Sequence, residues 1–550
     1  MRRRLALIIV FLLTLMMAAP SVSMYGSHPE DDVLKRNRSA SFNESFPDSP
    51  IIIKASYPNQ ARGGQQNQWI HGSSAKVLDL LELNDGTYLF MLRGITGNSG
   101  VITFADGQVM RAGDTALIHM NKDLENVSAK VFNHYLWSGT QTQNRLTTEW
   151  RNGPRAFVQI DENTIAMSGV LGYESYQYAS IDSMNSTVRG ESFFVAKLNL
   201  SDFSIVDYTL FPAAIQASAT SNECRMSGYQ EMSFIDNKIM ISFNLHHGGG
   251  GTCPGMWIPN GSGTHYSVSP SSQSSRSTNL FVTLDENLSF LRSTEVPSPH
   301  EDDMGPVFLG DGTAVVFTQR DSSMVTEHDL SFIGLNDTSW TTVNHPCGEY
   351  DGDATPFNST VVMWSCDNAT SLRIFFFDVS TQVTSSIVVG THDCGDDEDM
   401  NRGAYSLTPE LLLTAYSVPS DCAIDVGGNA TAGATRMFIT NLTTGQGNFG
   451  PARPFNPSRY SFTTGTPGND AYSLGSTTLV RPMVSQGSSL LFLDGQRQFA
   501  SVRAFEIDTD GDYYPDRIDV FPDDPTQWSD ADGDGYGDNP LGSEPDDCVN

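Results

Sequence analysis

Basic side chains are scarce in this sequence. Its 550 residues contain 32 Lys and Arg against 64 Asp and Glu, which gives a formal net charge of −32. A surface of that sign repels nucleic-acid phosphates and anionic lipid headgroups, so nucleic-acid binding is excluded as an expected function. Cations and cationic partners are the species that such a surface attracts.

Long apolar runs are absent beyond the first segment of the chain. That segment, residues 5–17, follows Arg2, Arg3 and Arg4 and leads into small residues up to Ser23, an order typical of a secretory signal peptide. The run has about 13 residues, whereas a membrane span needs roughly 20. We therefore predict a signal peptide over residues 1–23, a secreted or extracellular cell-surface location, and no membrane span. An uncleaved N-terminal anchor is the alternative.

Helical periodicity is also lacking between residues 60 and 507. Short runs rich in Val, Ile, Phe and Thr alternate there with Gly, Asp and Asn turns, which indicates an all-β protein. One unit recurs seven times, a turn followed by an apolar run, at residues 88–92, 165–167, 239–243, 314–317, 361–364, 411–415 and 478–480. A second run follows each, at residues 116–120, 193–198, 280–284, 332–335, 374–377, 437–440 and 490–493.

Further β-like runs lie upstream of these turns, for example at residues 77–83 and 156–160, so that each unit has four strands. Four strands repeated seven times predict a seven-bladed β-propeller over residues 60–505, preceded by a linker at residues 24–59. Two or three β-domains side by side are the alternative for this length.

Cysteine is rare, and six of the seven residues fall into neighbouring pairs at the same place in three repeats. In an exported protein this spacing predicts three disulfides within blades: Cys224 with Cys253, Cys347 with Cys366, and Cys394 with Cys422. Cys548 has no partner in this scheme. Twelve Asn-X-Ser/Thr sequons indicate a glycoprotein, with chance composition as the alternative.

Long insertions separate the second and third strands of three units, at residues 170–191, 246–278 and 417–434. Loops of this length on one face of a repeat protein often form a binding surface. Acidic stretches precede three consecutive units and contain Asp303, Asp353 and Asp399. We hypothesise that these three side chains converge beside a central channel on a cation or a basic ligand. Solvated acidic loops are the alternative.

Catalytic signatures are missing. The sequence has no Gly-X-Ser-X-Gly and no His-Glu-X-X-His, and residues 335–340 do not fit the Ser-X-Asp-X-Gly-X-Thr-Trp box of sialidase-like propellers. The catalytic residues are therefore unknown, and an enzyme is not the expected function. A carboxylate pair for glycoside hydrolysis remains open among 64 acids.

The strongest chemical signal lies at the C-terminal end. Residues 506–547 carry fifteen acids and one base, Arg517, and such a block repels itself unless a cation holds it. Evenly spaced oxygens fit Ca²⁺, which takes six to eight oxygen ligands, and no Cys or His occupies the positions that zinc would use. The predicted ligands of the first loop are Asp508, Asp510, Asp512, the Tyr514 carbonyl, Asp516 and Asp519.

A second loop repeats the spacing, with predicted ligands Asp530, Asp532, Asp534, the Tyr536 carbonyl and Asp538. Its twelfth position is Leu541, so we expect Asp523, Asp524, Asp546 or Asp547 to lend an oxygen. Prolines at positions 515, 522 and 525 exclude the long helices that flank EF-hand loops. A disordered acidic tail is the alternative.

The two loops and the Phe-Pro-Asp-Asp-Pro-Thr-Gln-Trp stretch between them resemble the thrombospondin type 3 repeat, as found in secreted and surface proteins of marine prokaryotes. The resemblance covers residues 506–550. It implies a helix-poor string of loops around Ca²⁺ ions, rigid when loaded, that serves as a stalk.

Together these features predict a calcium-binding protein at the cell surface or secreted, with a propeller head that recognises a glycan or a surface protein. A secreted propeller hydrolase acting on glycans is the second hypothesis.

Overall fold

The computed structural model describes residues 41–45, 51–56, 75–94, 102–104, 107–111, 113–121, 126–137, 144–145, 153–172, 178–185, 191–212, 224–227, 232–247, 256–259, 265–268, 277–295, 307–319, 328–344, 354–368, 370–393, 401–408, 411–417, 423–426, 429–431, 435–442, 447–449, 478–484, 489–496, 499–512, 514, 516, 519–543 and 545. All regular structure in these residues is β, as predicted. The described part therefore contains no helix that could span a membrane. The predicted signal peptide, residues 1–23, lies outside it.

The strands are, in chain order, β1 Ser41–Ser45, β2 Ile51–Ser56, β3 Ala75–Glu82, β4 Tyr88–Gly94, β5 Ile102–Thr103, β6 Val109–Met110, β7 Thr115–Met120, β8 Asn126–Phe132, β9 His134–Trp137, β10 Asn144–Arg145, β11 Gly153–Asp161, β12 Thr164–Leu171, β13 Tyr178–Ile181, β14 Met184–Asn185, β15 Ser192–Asn199, β16 Ile205–Pro212, β17 Cys224–Ser227, β18 Met232–Ile235, β19 Lys238–His247 and β20 Met256–Pro259. They continue with β21 His265–Val268, β22 Ser277–Asp285, β23 Phe290–Glu295, β24 Val307–Phe308, β25 Ala314–Gln319, β26 His328–Ile333, β27 Thr341–Asn344, β28 Thr355–Pro356, β29 Val361–Asn368, β30 Ser371–Asp378, β31 Val383–His392, β32 Asn401–Thr408, β33 Leu411–Ser417, β34 Ile424–Val426, β35 Asn429–Thr431, β36 Thr435–Asn441, β37 Gly447–Phe449, β38 Thr478–Val484, β39 Ser489–Gln496 and β40 Phe499–Ile507.

Most of these strands form antiparallel meanders that follow one another along the chain, here numbered sheets 1 to 7. Their strand orders are β3-β4-β7-β8, β11-β12-β15-β16, β18-β19-β22-β23, β24-β25-β26-β27, β28-β29-β30-β31, β32-β33-β36-β37 and β38-β39-β40-β2. In the described part of the chain the sheets correspond one to one with the predicted repeats. The blade number stays a prediction, because residues 450–477, ahead of the last sheet, lie outside that part.

The sheets are arranged as a closed series around their first strands. The first strand β11 contacts both β3 and β18, β28 contacts β24 and β32, and β38 contacts β32 and returns to β3. Sheets 3 and 4 are joined by a shared apolar cluster that includes Phe281 and Val316. A ring of four-stranded meanders whose innermost strands adjoin is the architecture of a β-propeller.

The last sheet combines a strand from the N-terminal end of the described chain with β38, β39 and β40, which precede the calcium loops. Strand β2 pairs antiparallel with β40, with Ile53 opposite Phe505, and so supplies the fourth strand of sheet 7. The predicted linker, residues 24–59, therefore contains strands of the ring, and the three consecutive isoleucines from Ile51 were the signal for them. For the same reason residues 478–480 form the first strand of their sheet, whereas the repeat pattern predicted the second.

Turn chemistry explains how the strands of a sheet are joined. In sheets 1 and 4 the Thr87 and Thr313 amides donate to Asp85 and Asp311, at 2.9 and 2.8 Å. Gly86 and Gly312 lie between these residues and have φ angles of 76° and 84°. A residue with a side chain adopts such angles only with strain. The Asp-Gly-Thr sequence therefore sets a tight turn, as the sequence analysis predicted.

The core lies between neighbouring sheets and is made of their alternate apolar residues. Phe193 of sheet 2 stacks on Phe243 of sheet 3 with ring centroids 4.4 Å apart, and Phe332 of sheet 4 meets Phe377 of sheet 5 at 5.7 Å. Trp364 is fully buried in sheet 5. Each large buried side chain contributes about 1.5–3 kcal/mol by removal from water, so these contacts hold the sheets together.

The described strands of the three insertions reach back to the preceding sheet. Strand β13 pairs with β9, which continues the fourth strand of sheet 1, and β34 pairs with β31, the fourth strand of sheet 5. Strand β20 contacts β16, the fourth strand of sheet 2. The insertions lie between second and third strands, as predicted, and a described strand of each insertion contacts the preceding sheet.

Candidate metal centre

Two groups of three acidic side chains in the described residues have carboxylate oxygens within 4.8 Å of one another. They are Asp508, Asp510 and Asp512, and Asp530, Asp532 and Asp534. These are positions 1, 3 and 5 of the two predicted calcium loops. The fold thus brings together three of the six predicted ligands of the first loop and three of the five of the second, and neither group contains a Cys or His.

The backbone of the first loop folds around its own carboxylates. The Gly511 amide donates to Asp508 Oδ1 at 2.8 Å, and the Tyr514 amide donates to Asp512 Oδ1 at 2.7 Å. Gly511 has a φ of 82°, which a glycine adopts without strain. Asp516 closes the loop, because Thr509 donates to it from its amide at 2.8 Å and from its hydroxyl at 2.7 Å.

The second oxygen of three of these carboxylates is left over. Oδ2 of Asp510, Asp512 and Asp519 is buried and has no hydrogen-bond partner in the described residues. Asp519, at position 12, is only 8% exposed. A buried carboxylate oxygen without a partner is costly, and a hard cation with several oxygen ligands removes that cost.

The protonation equilibria of these carboxyls reflect the crowding. Burial raises the pKa of Asp510 to about 6; the Asp512 and Asp508 carboxylates add to the rise, and the hydrogen bond from the Asp512 amide opposes it. Burial also raises the pKa of Asp512 and of Asp519, with further contributions from acids of the same loop. Loss of solvent and like charge both disfavour the ionised form, and a divalent cation reverses both effects.

The second loop repeats the hydrogen bonds of the first. Gly533 donates to Asp530 Oδ1 at 2.7 Å and Tyr536 donates to Asp534 Oδ1 at 2.9 Å, as Gly511 and Tyr514 do in the first loop. The Ala531 amide donates to Asp538 at 3.2 Å, as Thr509 does to Asp516. The two loops therefore share these three hydrogen bonds, with equivalent residues 22 positions apart.

The loops differ in burial and at their last position. Asp508 is 2% exposed, whereas Asp532 and Asp534 of the second loop are exposed. Position 12 is the buried Asp519 in the first loop and Leu541, 91% exposed, in the second. The second loop therefore has no carboxylate of its own at this position, as the sequence predicted.

Asp524, one of the residues expected to lend an oxygen, is engaged elsewhere. Its Oδ1 accepts from the Thr526 amide at 3.0 Å and from the Thr526 hydroxyl at 2.7 Å, and its Oδ2 accepts from the Ser543 hydroxyl. The hydrogen bonds from Ser543 and then Thr526 lower the pKa of Asp524. It closes a turn between the loops. Asp546 and Asp547 lie outside the described residues.

Gln527 and Asn539, which no sequence pattern singles out, join the link between the loops to the second loop. Gln527 is 1% exposed, and its side-chain amide exchanges two hydrogen bonds with the Asn539 backbone, at 3.1 and 3.0 Å. A single Gln in a polar segment carries no pattern by itself. The signal lies only in the fold, where a buried amide stands between two ligand loops.

The other predicted site residues fall largely outside the described part of the chain. Asp303, Asp353 and Asp399 lie outside it, as do Cys253, Cys347, Cys394, Cys422 and Cys548. Cys224 and Cys366 lie in β17 and β29. The channel site and the disulfides therefore remain predictions.

No protein-family model matches the chain, and no curated protein matches it. Among solved structures, it is similar to the β-propeller domain of the Trilobed protease from Pyrococcus furiosus, at 9% identity, 79% of this chain, 94% of that chain and a TM-score of 0.38. Acylaminoacyl peptidase from Pyrococcus horikoshii matches at 10% identity, 80% of this chain and a TM-score of 0.39, and the chain spans about half, 52%, of that protein. Trypanosoma rangeli sialidase in complex with sialic acid matches at 9% identity, 68% of this chain, 57% of that chain and a TM-score of 0.33.

Proposed function

We propose that this protein is a secreted or cell-surface calcium-binding protein, with a β-propeller head for recognition and a C-terminal segment that calcium stiffens. The observation that carries the calcium part is the set of three buried Oδ2 atoms, of Asp510, Asp512 and Asp519, without a hydrogen-bond partner in the described residues. They belong to carboxylates at positions 3, 5 and 12 of one loop, from which a calcium loop supplies ligands.

Calcium is the cation that suits this donor set best. All side chains of the two acidic groups offer carboxylate oxygen, which hard cations prefer, and neither group contains the His or Cys that a zinc site uses. Mg²⁺ demands a smaller, strictly octahedral site and keeps its water, whereas Ca²⁺ accepts flexible loops with six to eight ligands. Extracellular calcium modules bind in the range of about 10⁻⁴ to 10⁻³ M, which suits an exported chain.

Calorimetric titration of the full chain with Ca²⁺ and with Mg²⁺ tests this assignment. We expect saturable binding of Ca²⁺ and at least about tenfold weaker binding of Mg²⁺, since Mg²⁺ retains its hydration. Asp512→Asn should abolish binding at the first loop. Asp378→Asn is the matched control, because it makes the same charge change in a propeller turn of the kind that Asn358 already closes. Absence of heat with either cation refutes the calcium assignment.

The recognition part of the proposal concerns one end of the sheets, where the second and fourth strands finish. In a four-stranded antiparallel meander the second and fourth strands run in the same direction. The connections that follow these two strands therefore leave from the same end of the sheet. The insertions connect second to third strands, and the stretches with Asp303, Asp353 and Asp399 connect the fourth strand of one sheet to the first of the next. This strand order supports our proposal of one ligand-binding face for a glycan or a surface protein, and Asp303, Asp353 and Asp399 themselves lie outside the described residues.

The three predicted disulfides remain part of the proposal. Thr391 pairs with Asp425 and His392 with Ile424 across β31 and β34. Next along the chain, the Asp393 carboxylate accepts from the Ala423 amide at 2.7 Å. The residues that follow and precede these are Cys394 and Cys422, so their described neighbours support this pair. Peptide mapping without reduction should recover Cys394 linked to Cys422, and free thiols at both positions would refute the pairing.

A further inference from the structure

Gln527 lies in the link between the two loops, residues 521–528, and is almost fully buried at 1% exposure. Its Nε2 donates to the Asn539 carbonyl at 3.1 Å, and its Oε1 accepts from the Asn539 amide at 3.0 Å. A primary amide that pairs with both backbone groups of one residue acts like a short piece of β-ladder. It fixes the position and the orientation of that residue.

The surroundings of Gln527 are built to hold this amide. A Cβ at Gly537 would overlap the Gln527 side chain, and one at Gly542 would overlap both that side chain and the Thr526 carbonyl, so a larger residue at either position would displace the Gln527 amide. Asn539 is held from its other side, because its Nδ2 donates to the Thr526 carbonyl at 2.7 Å. The Ser543 amide donates to the Thr526 hydroxyl at 2.9 Å. We call this set of contacts the amide clasp.

The amide clasp meets the second loop where that loop lacks a ligand. Asn539 is position 10, directly after the predicted ligand Asp538, whose own amide donates to the Ser529 carbonyl at 2.9 Å. The first loop is closed instead by Asp519, a buried carboxylate at position 12. The second loop has the exposed Leu541 at that position. In the first loop a charged ligand, Asp519, closes the loop. The amide clasp carries no charge, so it can close the second loop only by fixing its backbone.

We propose that Gln527 is a positioning residue that preorganises the second calcium loop in place of the missing carboxylate at position 12. The proposal rests on the proposed calcium function and adds the means by which an incomplete ligand set binds the ion. A loop that is already closed loses less conformational entropy on binding, so fewer charged ligands suffice. Gln527 itself does not touch the ion in this scheme.

The test uses the full chain in the Asp512→Asn background, which disables the first loop, so that the remaining calcium binding reports the second. Gln527→Ala removes both hydrogen bonds, and Gln527→Glu keeps the volume but replaces the donor with an acceptor. We expect either change to weaken calcium binding at the second loop by 10- to 100-fold, the range found when residues that orient a ligand are lost. Gln527→Asn keeps the amide group but shortens the side chain, and we expect its calcium affinity at the second loop to be as weak as that of Gln527→Ala.

A second measurement does not depend on bound calcium. In the calcium-free protein, hydrogen exchange at the Asp538 and Asn539 amides should be slow and should accelerate in Gln527→Ala. Gln159→Ala is the matched control, since the Gln159 amide also accepts from one backbone amide, at 2.7 Å, and donates to one carbonyl, at 2.9 Å, but lies in sheet 2. It should leave both calcium binding and this exchange unchanged.

Three outcomes separate this inference from the proposed function. If the second loop binds calcium with unchanged affinity in Gln527→Ala and Gln527→Glu, the role of the amide clasp is refuted and the calcium function stands. No calcium binding by the unsubstituted protein overturns both. Intact first-loop binding in Gln527→Glu with Asp512 restored, together with a weakened second loop, supports the clasp, because it shows that the segment still folds.

Discussion

Aspartate closes turns in both regions of the molecule, but the carboxylate finds different partners in each. In sheet 5, Asp378 accepts from the Ser380 hydroxyl at 2.6 Å and the Ser380 amide at 2.9 Å, and these hydrogen bonds lower its pKa. In the first calcium loop, Asp512 accepts from the Tyr514 amide in the same way, yet burial and neighbouring acids raise its pKa. In both regions one carboxylate oxygen accepts hydrogen bonds. In the loop the other oxygen, Asp512 Oδ2, is buried and has no hydrogen-bond partner in the described residues.

The residue two positions later accounts for much of this difference. In several propeller turns it is Ser or Thr, as at Asp85-Gly-Thr87, where the Thr87 hydroxyl donates to the carboxylate at 2.6 Å. In the loops the residue two positions after Asp508, Asp510, Asp530 and Asp532 is another aspartate, which offers no proton and adds charge, and after Asp512 it is Tyr514, whose backbone amide donates to the carboxylate. An Asp-X-Ser/Thr turn is therefore complete by itself, whereas an Asp-X-Asp-X-Asp run stays unsatisfied until a cation arrives.

Removal of a ligand should give the largest effect. Asp519→Asn leaves the hydrogen bond from the Phe521 amide possible but removes the charge at position 12. We expect calcium affinity at the first loop to fall by more than about 100-fold, beyond the range for residues that only orient ligands. Calorimetry of the full chain measures it, and the same change at Asp378 should have no effect. Equal losses at the two positions would erase the distinction between ligand and turn acids.

Acid should weaken calcium binding by about tenfold between pH 7 and pH 5. A carboxyl with a pKa of about 6, as for Asp510, is mostly ionised at pH 7 and mostly protonated at pH 5, and the proton competes with calcium. The sign is opposite for the calcium-free loop. A raised pKa stabilises the folded form below the ordinary value near 4, and that stability is lost as pH rises through about 6.

Calorimetry across this pH range, with hydrogen exchange of the calcium-free protein, checks both signs. Calcium affinity should rise and the order of the empty first loop should fall over the same interval. A pH-independent affinity would show that the Asp510 carboxyl does not meet the ion.

The acids at 303, 353 and 399 can be assigned to one class or the other by substitution. If they form a channel site, single changes of Asp303, Asp353 and Asp399 to Asn should each weaken binding of a glycan or a cationic ligand by up to about fivefold, since one ion pair that solvent screens contributes at most about 1 kcal/mol. A glycan panel assayed for both binding and turnover measures this. We expect no turnover by the unsubstituted protein. Turnover that one of the three changes abolishes would make the head a hydrolase.

The sequence carried enough information for the strands and the loops, and less for how they are joined. Short apolar runs and Asp-Gly turns predict sheets because both act within a few residues. The pairing of β2 with β40 was missed, since it joins residues about 450 positions apart and depends on closure of the ring. Ligand spacing placed Asp508 and Asp530, but the clasp at Gln527 was invisible, because an amide becomes informative only once its burial is known.

The smallest effect should come from turning one kind of aspartate turn into the other. Ser380→Asp creates an Asp-X-Asp pair in sheet 5, removes the hydroxyl donor to Asp378 and places two carboxylates together. We expect a loss of about 0.5 kcal/mol in the free energy of unfolding, at the low end for a hydrogen bond because the turn is exposed. Denaturant titration with and without calcium measures it, with Ser380→Ala as the control for the lost hydroxyl. Calcium should not restore the loss, since two exposed acids without a buried third lack the ligand number that calcium needs. Recovery in calcium would mean that spacing alone, without burial, makes the site.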